Sequence, residues 1–302
     1  MKYVFHKKDL NFFNSILRFF YRIIVFFFKP KKKYIKQIRK LGLKYLVFID
    51  EHVGFRMLFP GLHESDEIKI LDDLSKIIIQ KKRENIHFID VGANFGLFTL
   101  YFSKLLNNKG YVYAIEPDNE CCKLIKESAQ INNLKNISIN NCAISDKVGF
   151  TEMRREDDET SYQTSLAFVG KINAKSEDLN KVEVTTLDSI FEKINNEIDI
   201  IKIDVEGHEA SVINGFKLSL SNPDKSPKVI MMELVDQHLK RFGASREELI
   251  NLIDSFGYVS HIIKDKKLIK YLSSYKNTPN VFFIKKNFLL EIENSEKEKI
   301  FK

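Results

Sequence analysis

Residues 88–99 read FIDVGANFGLFT, an apolar strand that ends in Asp90 and runs into a Gly-x-x-x-Gly turn at the start of a helix. Gly92 and Gly96 let the backbone turn sharply and approach a ligand closely, because no Cβ stands in the way. Ligands of doubly wound α/β sheets bind just outside the carboxyl ends of the strands, where this turn falls. The stretch therefore predicts the first strand and the ligand-binding turn of such a sheet.

Short apolar runs alternate with amphipathic segments from Ile86 onward. The runs predict strands, and the segments with apolar residues on one helical face predict helices. The predicted strands are 86–91, 111–115, 137–142, 198–204, 228–235, 258–263 and 281–285. The predicted helices are 95–106, 119–133, 208–220 and 245–256. This alternation implies a doubly wound, mostly parallel sheet with helices on both faces.

The chain of 302 residues divides into four segments by composition. They are a basic and aromatic N-terminal arm at 1–40, lead-in strands and a helix at 41–85, the α/β domain at 86–290 and a charged tail at 291–302. We expect the tail to be frayed. Within the lead-in, residues 44–60 predict two strands that turn near His52–Gly54, and a helix follows from Ser65 to about Gln80. The polar residues 153–181 predict a mobile excursion over the site.

The N-terminal arm carries the net positive charge of the chain. Residues 1–40 contain twelve Lys or Arg against Asp9 alone, so the arm contributes +11 to a total of +7 and the rest of the chain is net acidic. Its apolar run is interrupted by Arg18 and Arg22, whereas a spanning helix needs ~20 largely uncharged residues. Residues 12–33 predict either a helix in the headgroup region of a membrane or a helix packed on protein, and the sequence leaves both open.

The three cysteines do not have the spacing of metal ligands. They are Cys121, Cys122 and Cys142, and two of them are adjacent. This usage is typical of a reduced, cytosolic setting. We therefore expect a cytoplasmic protein, placed by its arm at the cytoplasmic face of a membrane if the first of the two interpretations holds.

An acid at the end of the second predicted strand points to the ligand. Glu116 follows the glycine turn by about 20 residues, where an acid can accept hydrogen bonds from both ribose hydroxyls of an adenosine ligand. A nicotinamide site would favour Gly-x-Gly-x-x-Gly, and Asp90 would repel a pyrophosphate. The charged amino acid end of S-adenosylmethionine suits Asp90 better. The sequence therefore predicts a pocket for S-adenosylmethionine, the alternative for Glu116 being a solvated strand end.

Five stretches resemble the FkbM family of methyltransferases. They are FIDVGANFGLFT at 88–99, YAIEPD at 113–118, NCAISDKVG at 141–149, VTTLDSI at 184–190 and IIKIDVEGHEASVINGF at 200–216. The resemblance implies a Rossmann-like class I methyltransferase that methylates hydroxyls of sugars or of polyketide-type metabolites. It also implies which residues hold the donor: Asp90, Gly92, Asn94 and Gly96 along the turn, Glu116 at the ribose and Ala143 at the adenine.

The acceptor side is predicted at the turn after the fourth strand. Asp204 ends that strand and is our candidate for the base that takes the hydroxyl proton, with His208 as the next candidate. Glu233, which ends the following strand, is expected beside them in the catalytic centre. Glu206 and Glu233 would anchor substrate hydroxyls, with His238 nearby as a further substrate contact. The nearby Glu209 fits a helix start better than catalysis.

A divalent cation is left open at these carboxylates, because oxygen ligands suit magnesium, and no residue is assigned as a metal ligand.

The leading function is therefore O-methylation of a sugar hydroxyl in glycan, surface polysaccharide or glycolipid synthesis, with a small-molecule or glycan substrate. RNA ribose methylation is a second possibility, since Lys202, Asp204 and Glu233 partly match its converging lysine and acids. An acidic body opposes nucleic-acid binding, because phosphate binding needs a basic surface. Two more functions stay open on the sequence: methylation of a secondary metabolite, and service as a non-catalytic, membrane-tethered scaffold.

Overall fold

A computed structural model describes residues 35–48, 65–82, 85–155, 166–168, 180–194, 196–275, 278–292 and 294–302. The predicted amphipathic segment 12–33 and the predicted turn at His52–Gly54 lie outside these residues. Among the described helices, none combines the length and the apolar character that crossing a membrane requires.

The strands of the described chain are β1 Ile35–Lys40, β2 Leu43–Phe48, β3 Ile86–Val91, β4 Gly110–Ile115, β5 Ile137–Asn140, β6 Ala143–Ile144, β7 Gly149–Arg155, β8 Leu166–Phe168, β9 Asn180–Thr185, β10 Ile200–Ile203, β11 Val229–Glu233, β12 Tyr258–Lys264, β13 Lys267–Lys270 and β14 Asn280–Lys285. The α-helices are α1 Ser65–Lys82, α2 Leu97–Leu106, α3 Asn119–Ile131, α4 Leu187–Lys193, α5 Glu209–Asn214, α6 Lys217–Ser221, α7 Asp236–Arg241, α8 Arg246–Ser255, α9 Lys286–Glu291 and α10 Asn294–Ile300.

The core is an eight-stranded sheet with the strand order β13-β12-β14-β11-β10-β3-β4-β5. The five strands from β11 to β5 are parallel to one another, and β14 is antiparallel to both of its neighbours. The chain winds outward from β3 through β4 to β5 and then returns to β10 on the other side of β3. This reversal places the ligand crevice at the carboxyl ends of β3 and β10.

Both faces of the sheet are covered, as the sequence predicts. All six residues of β3 are buried, as expected for a central strand between two layers of helices. Successive side chains point to opposite faces. Phe88 packs into one hydrophobic cluster with α1, α2 and α3, whereas Ile89 packs into a second cluster with α5, α7 and α8. The predicted doubly wound, mostly parallel α/β fold is confirmed.

The predicted excursion at 153–181 is wrong in its described parts, which are strands. β7, β8 and β9 join β6 in a four-stranded sheet of order β6-β9-β7-β8, inserted between β5 and β10. The polar composition of this stretch did not predict a sheet. The sheet has a small apolar cluster, in which Val182 and Val184 of β9 pack on Ala143. The insertion places Ala143 at the border between the small sheet and the end of β5.

The first strand of the lead-in has a partner that the sequence analysis did not predict. β2 forms a two-stranded antiparallel sheet with β1, which lies in the last six residues of the predicted arm. The turn between β1 and β2 falls at Leu41-Gly42, where both residues have positive φ. Tyr45 and Val47 are fully buried, so β2 packs on the main body. The helix predicted from Ser65 is confirmed as α1.

The tail is charged as predicted, but the expectation that it is frayed is wrong. Asn294–Ile300 forms α10, and Ile300 is buried in the larger hydrophobic cluster. The backbone N–H of Lys302 then donates to the carbonyl oxygen of Leu268 in β13. The burial of Ile300 and the hydrogen bond to β13 therefore fix a segment whose charged composition predicts exposure to solvent.

Candidate active site

The glycine turn after β3 is shaped by the neighbouring strand β10. Gly92 has φ of 74°, and a Cβ at this position would lie 1.9 Å from the carbonyl oxygen of Asp204. Gly96 has φ of 77°, and a Cβ there would lie 3.0 Å from Cγ1 of Ile125 in α3. Both glycines are therefore required by conformation and by close packing. The turn is in close contact with the end of β10, the strand that leads into the predicted acceptor side.

Asp90 lies beneath this turn. Its side chain is fully buried, and Oδ2 accepts hydrogen bonds from the backbone N–H of Thr99 at 3.0 Å and from its hydroxyl at 2.6 Å. The carboxylate therefore ties the end of β3 to the first turn of α2. It supports the turn from behind, and its predicted contact with the donor stays a proposal.

Glu116 is a buried acceptor at the end of β4. Its Oε2 accepts from the backbone N–H of Asn94 at 2.8 Å, and its Oε1 accepts from the backbone N–H of Asp118 at 2.9 Å. Burial raises its pKa to about 7. The interpretation of Glu116 as a solvated strand end is wrong, since only 6% of the residue is exposed. Asn94 has φ of 48° and carries the N–H that orients this carboxylate.

Asn141, which the sequence analysis did not single out, lies beside Glu116. Its side-chain amide donates to the carbonyl oxygens of Glu116 and Pro117, both at 2.9 Å. It thereby joins the end of β4 to the segment that carries Ala143, which is itself 4% exposed. The predicted adenine side of the pocket is thus built from the end of β4 and the start of the small sheet.

Lys202 connects the donor side with the acceptor side. Its ammonium donates to the carbonyl oxygen of Gly92 at 3.0 Å and lies 3.5 Å from Oδ1 of Asp90 and 3.2 Å from Oδ2 of Asp204. The ring centroid of Phe98 is 5.4 Å away. The side chain is 4% exposed, so it points inward. Ribose methylation would need this lysine at the substrate, and its inward contacts do not favour that role.

Asp204 stands at the carboxyl end of β10, where its backbone N–H donates to the carbonyl oxygen of Val91 at 3.1 Å. Its side chain is 22% exposed, which leaves it partly open to a ligand. The ion pair with Lys202 fixes its direction. The ends of β3 and β10 thus bring the predicted base next to the predicted donor turn.

Glu206, Glu233 and His238, also predicted for the acceptor side, converge beside Asp204. Glu206 lies in the turn after β10, Glu233 ends β11 and His238 is in α7. One potential ligand atom from each lies within 4.8 Å of the others, and Nδ1 of His238 is 3.3 Å from Oε2 of Glu206. Burial and the charge of Asp204 raise the pKa of Glu206 above its ordinary value. The predicted substrate anchors therefore form one cluster, although they are far apart in the sequence.

The turn that carries Glu206 is held from two sides. Gly207 has φ of 104°, and a Cβ there would lie 2.6 Å from the carbonyl oxygen of His238. Glu209 is 1% exposed, and its Oε1 accepts from the backbone N–H groups of Val205 and Gly207 at 3.2 and 3.1 Å. These contacts give Glu209 the structural role that its position at a helix start predicts.

His208 faces the small sheet. Its Nε2 lies 3.1 Å from the hydroxyl oxygen of Ser145, and its ring meets the ring of Phe242 edge to face at 5.3 Å. Burial lowers its pKa to about 4. His208 therefore joins the acceptor turn to the inserted sheet, while its candidacy as a base stays a prediction.

The fold and the site define a Rossmann-like class I methyltransferase, with a glycine turn after the first core strand and a buried acid at the end of the second. The methyltransferase FkbM domain matches residues 90–260, more than half of the chain. The chain belongs to the FkbM methyltransferase family, and S-adenosylmethionine is its methyl donor. The predicted family, enzyme class and donor are confirmed, and the scaffold function is set aside.

The solved structures that match this chain share little sequence with it. SMU.1697c from Streptococcus mutans, in complex with SAH, is 12% identical with a TM-score of 0.39, over 67% of this chain and 89% of that one. A SAM-dependent methyltransferase from Agrobacterium tumefaciens is 11% identical with a TM-score of 0.44, over 84% and 71%. The bifunctional kinase-methyltransferase WbdD is 11% identical with a TM-score of 0.43, over 74% of this chain and 39% of that one. No curated protein sequence matches the chain.

Proposed function

We propose that the protein transfers the methyl group of S-adenosylmethionine to a hydroxyl of a sugar, in the synthesis of a glycan, a surface polysaccharide or a glycolipid. The observation that carries the proposal is the pairing made by Lys202. One buried ammonium holds both the donor turn at Gly92 and the carboxylate of Asp204. Donor and base are thereby kept in one geometry, which is what a reaction between two bound groups requires.

On the donor side, the carboxylate of Glu116 accepts hydrogen bonds from the ribose hydroxyls of S-adenosylmethionine. Its two oxygens are already oriented by the N–H groups of Asn94 and Asp118, and each oxygen has a further lone pair for a hydroxyl. Gly92 and Gly96 allow the backbone to approach the methionine part of the donor. Ala143 leaves room for the adenine ring, because its side chain is a single methyl group.

On the acceptor side, Asp204 takes the proton. The hydroxyl oxygen attacks the methyl carbon in line with the carbon–sulfur bond, and the electron pair of that bond passes to sulfur. The products are the methyl ether, S-adenosylhomocysteine and a protonated Asp204 that returns its proton to solvent. A positioned base contributes typically about 10²–10⁴-fold to such a step.

The acceptor cluster favours a substrate with several hydroxyls. Asp204, Glu206 and Glu233 are three carboxylates at adjoining strand ends, and a carboxylate accepts hydrogen bonds from neutral hydroxyls. The same charges repel a phosphodiester, which opposes a nucleic-acid acceptor. A sugar presents hydroxyls on neighbouring carbons and can satisfy several of these oxygens at once.

The donor assignment is tested by calorimetric titration with S-adenosylmethionine and S-adenosylhomocysteine. Glu116→Ala should weaken both by more than about tenfold, since hydrogen bonds to a charged group contribute ~1.5–3 kcal/mol each. Glu127→Ala, an exposed acid of α3, is the control and should bind as the parent does. Equal affinities for the two variants would remove Glu116 from the donor pocket.

The acceptor assignment is tested by methyl transfer from labelled donor to a panel of free sugars, glycolipids and polyketide-type alcohols. We expect transfer to sugar hydroxyls, and Asp204→Ala should keep the donor affinity while turnover falls by about 10²–10⁴-fold. An Asp204→Ala protein that turns over normally would exclude this base. Transfer to the polyketide-type alcohols alone would exclude the sugar.

A further inference from the structure

The cluster of Glu206, Glu233 and His238 brings together ligand atoms from three separate elements. Glu206 comes from the turn after β10, Glu233 from the end of β11 and His238 from α7. Their nearest oxygen or nitrogen atoms all lie within 4.8 Å of one another, close enough that the three side chains could hold one metal ion. Within the described part of the chain, no other set of three His, Cys, Asp or Glu side chains converges in this way.

The imidazole of His238 is placed for a ligand. Its Nδ1 is shielded from solvent and has no hydrogen-bond partner, and its 3.3 Å approach to Oε2 of Glu206 lacks the geometry of a hydrogen bond. A buried polar atom without a partner is costly. A cation between the imidazole and the two carboxylates would satisfy Nδ1 and neutralise the charge that Glu206 and Glu233 bring together.

We propose that Glu206, Glu233 and His238 bind a divalent cation, which in turn holds the acceptor. Two carboxylate oxygens and one imidazole nitrogen suit Mn²⁺ or another first-row transition ion better than Mg²⁺, which prefers oxygen ligands alone. Three protein ligands leave coordination positions open for the substrate. Two neighbouring hydroxyl oxygens of a sugar can occupy those positions, so this proposal rests on the proposed function.

The cation would assist the chemistry by acting on the acceptor hydroxyl. A bound cation withdraws electrons from a coordinated oxygen and eases the loss of its proton. Asp204 is two residues before Glu206 and takes that proton, while the oxygen forms its bond to the methyl carbon. The carbon–sulfur bond breaks with its electrons on sulfur. The positive charge of the donor and the negative charge of Asp204 are both neutralised, and the cation stays in place with its charge unchanged.

The site is tested by titrating the full-length protein with Mn²⁺. The electron paramagnetic resonance signal of the free ion measures how much Mn²⁺ is bound. We expect one Mn²⁺ per chain. Glu233→Gln and His238→Gln should each weaken binding by at least about tenfold, which is about 1.4 kcal/mol. Glu192→Gln, an exposed acid in α4, is the control and should leave the affinity unchanged. Titration with S-adenosylhomocysteine verifies that each variant is folded.

The outcomes separate this proposal from the proposed function. A protein that binds S-adenosylhomocysteine but no Mn²⁺, or whose three variants bind Mn²⁺ equally, overturns the cation site. Sugar methylation that persists in excess chelator overturns the role of the cation and leaves the proposed function standing. Mn²⁺ binding that depends on Glu233 and His238, with no methylation of any sugar, supports the site and overturns the sugar acceptor.

Discussion

Lys202 forms an ion pair with each of two carboxylates at the centre of this site, those of Asp90 and Asp204. Removing one partner of a buried ion pair leaves the other charge without compensation, which costs more than the pair itself contributes. Asp90 is fully buried and its carboxylate accepts a hydrogen bond from the hydroxyl of Thr99. The carboxylate therefore cannot turn toward solvent when the ammonium of Lys202 is removed. The lysine is therefore a positioning residue for both the donor turn and Asp204.

Replacing Lys202 by Met should lower the free energy of unfolding by about 3–5 kcal/mol, because Asp90 would remain buried without its cation. Urea denaturation followed by circular dichroism measures this change. Lys225→Met is the matched control, since Lys225 is exposed, and its effect should stay within about 0.5 kcal/mol. Similar losses for the two variants would contradict the role given to Lys202.

Glu116 makes donor binding depend on pH. Burial raises its pKa to about 7, and the ribose hydroxyls donate to the ionised form. A bound donor therefore favours the carboxylate, so affinity is greatest above this pKa and falls as the pH drops through it. The ionised fraction falls about tenfold between pH 8 and pH 6, and we expect the same factor in the affinity for S-adenosylhomocysteine.

Calorimetric titration at several pH values measures this dependence. Glu116→Gln cannot ionise, so its weaker affinity should vary much less over the same interval. A slope that is as steep in this variant as in the parent would assign the titration to another group.

Among the secondary-structure elements, local periodicity predicts the core strands well and the peripheral ones poorly. β3, β4, β10 and β11 are apolar runs, so their buried state is visible in composition. The insertion β7–β9 and the helix α10 have mixed composition and become ordered by a few long-range contacts. The predicted helix 208–220 is likewise divided, because α5 ends at Asn214 and α6 begins at Lys217.

The folded tail gives a prediction for a single element. Ile300 is 1% exposed in the main hydrophobic cluster, so Ile300→Ala should lower the free energy of unfolding by about 2–4 kcal/mol. Leu290→Ala is the control, because Leu290 in α9 is 80% exposed. Chemical denaturation compares the two. If both substitutions have little effect, the tail contributes nothing to the core.

At the scale of the whole molecule, the net charge of the N-terminal arm is opposite in sign to that of residues 41–302. Residues 1–40 carry +11 and the remainder is net acidic. A polybasic segment is attracted to anionic lipid by ~1 kcal/mol per Lys or Arg near the surface. We propose that the arm brings the enzyme to a membrane, which would suit a lipid-linked acceptor.

Sedimentation with anionic vesicles tests this proposal. The full-length chain should sediment with them, and high salt should release part of it, since screening weakens surface attraction. A variant lacking residues 1–34 keeps β1 intact and should stay in the supernatant. Equal partition of the two proteins would instead favour an arm that packs on protein.

The resemblance of five stretches to FkbM methyltransferases predicted the family, and local sequence patterns predicted the fold class and a donor turn. These patterns are an apolar strand, an acid and two glycines in succession, followed by Glu116 at the end of the next strand. Parallel strands bring their carboxyl ends to one edge, so spacing along the chain was enough to place Asp90, Glu116 and Asp204 near one another.

The use made of each side chain depends on the folded arrangement and was not visible in the sequence. The fold directs Lys202 inward between two acids and seats Asp90 behind the turn, and it sets the distances among Glu206, Glu233 and His238, which the sequence predicts only as neighbours on the acceptor side. It also pairs β2 with β1 and orders the tail. These features depend on contacts between residues far apart in the chain, and such contacts are set by packing and burial and not by local periodicity.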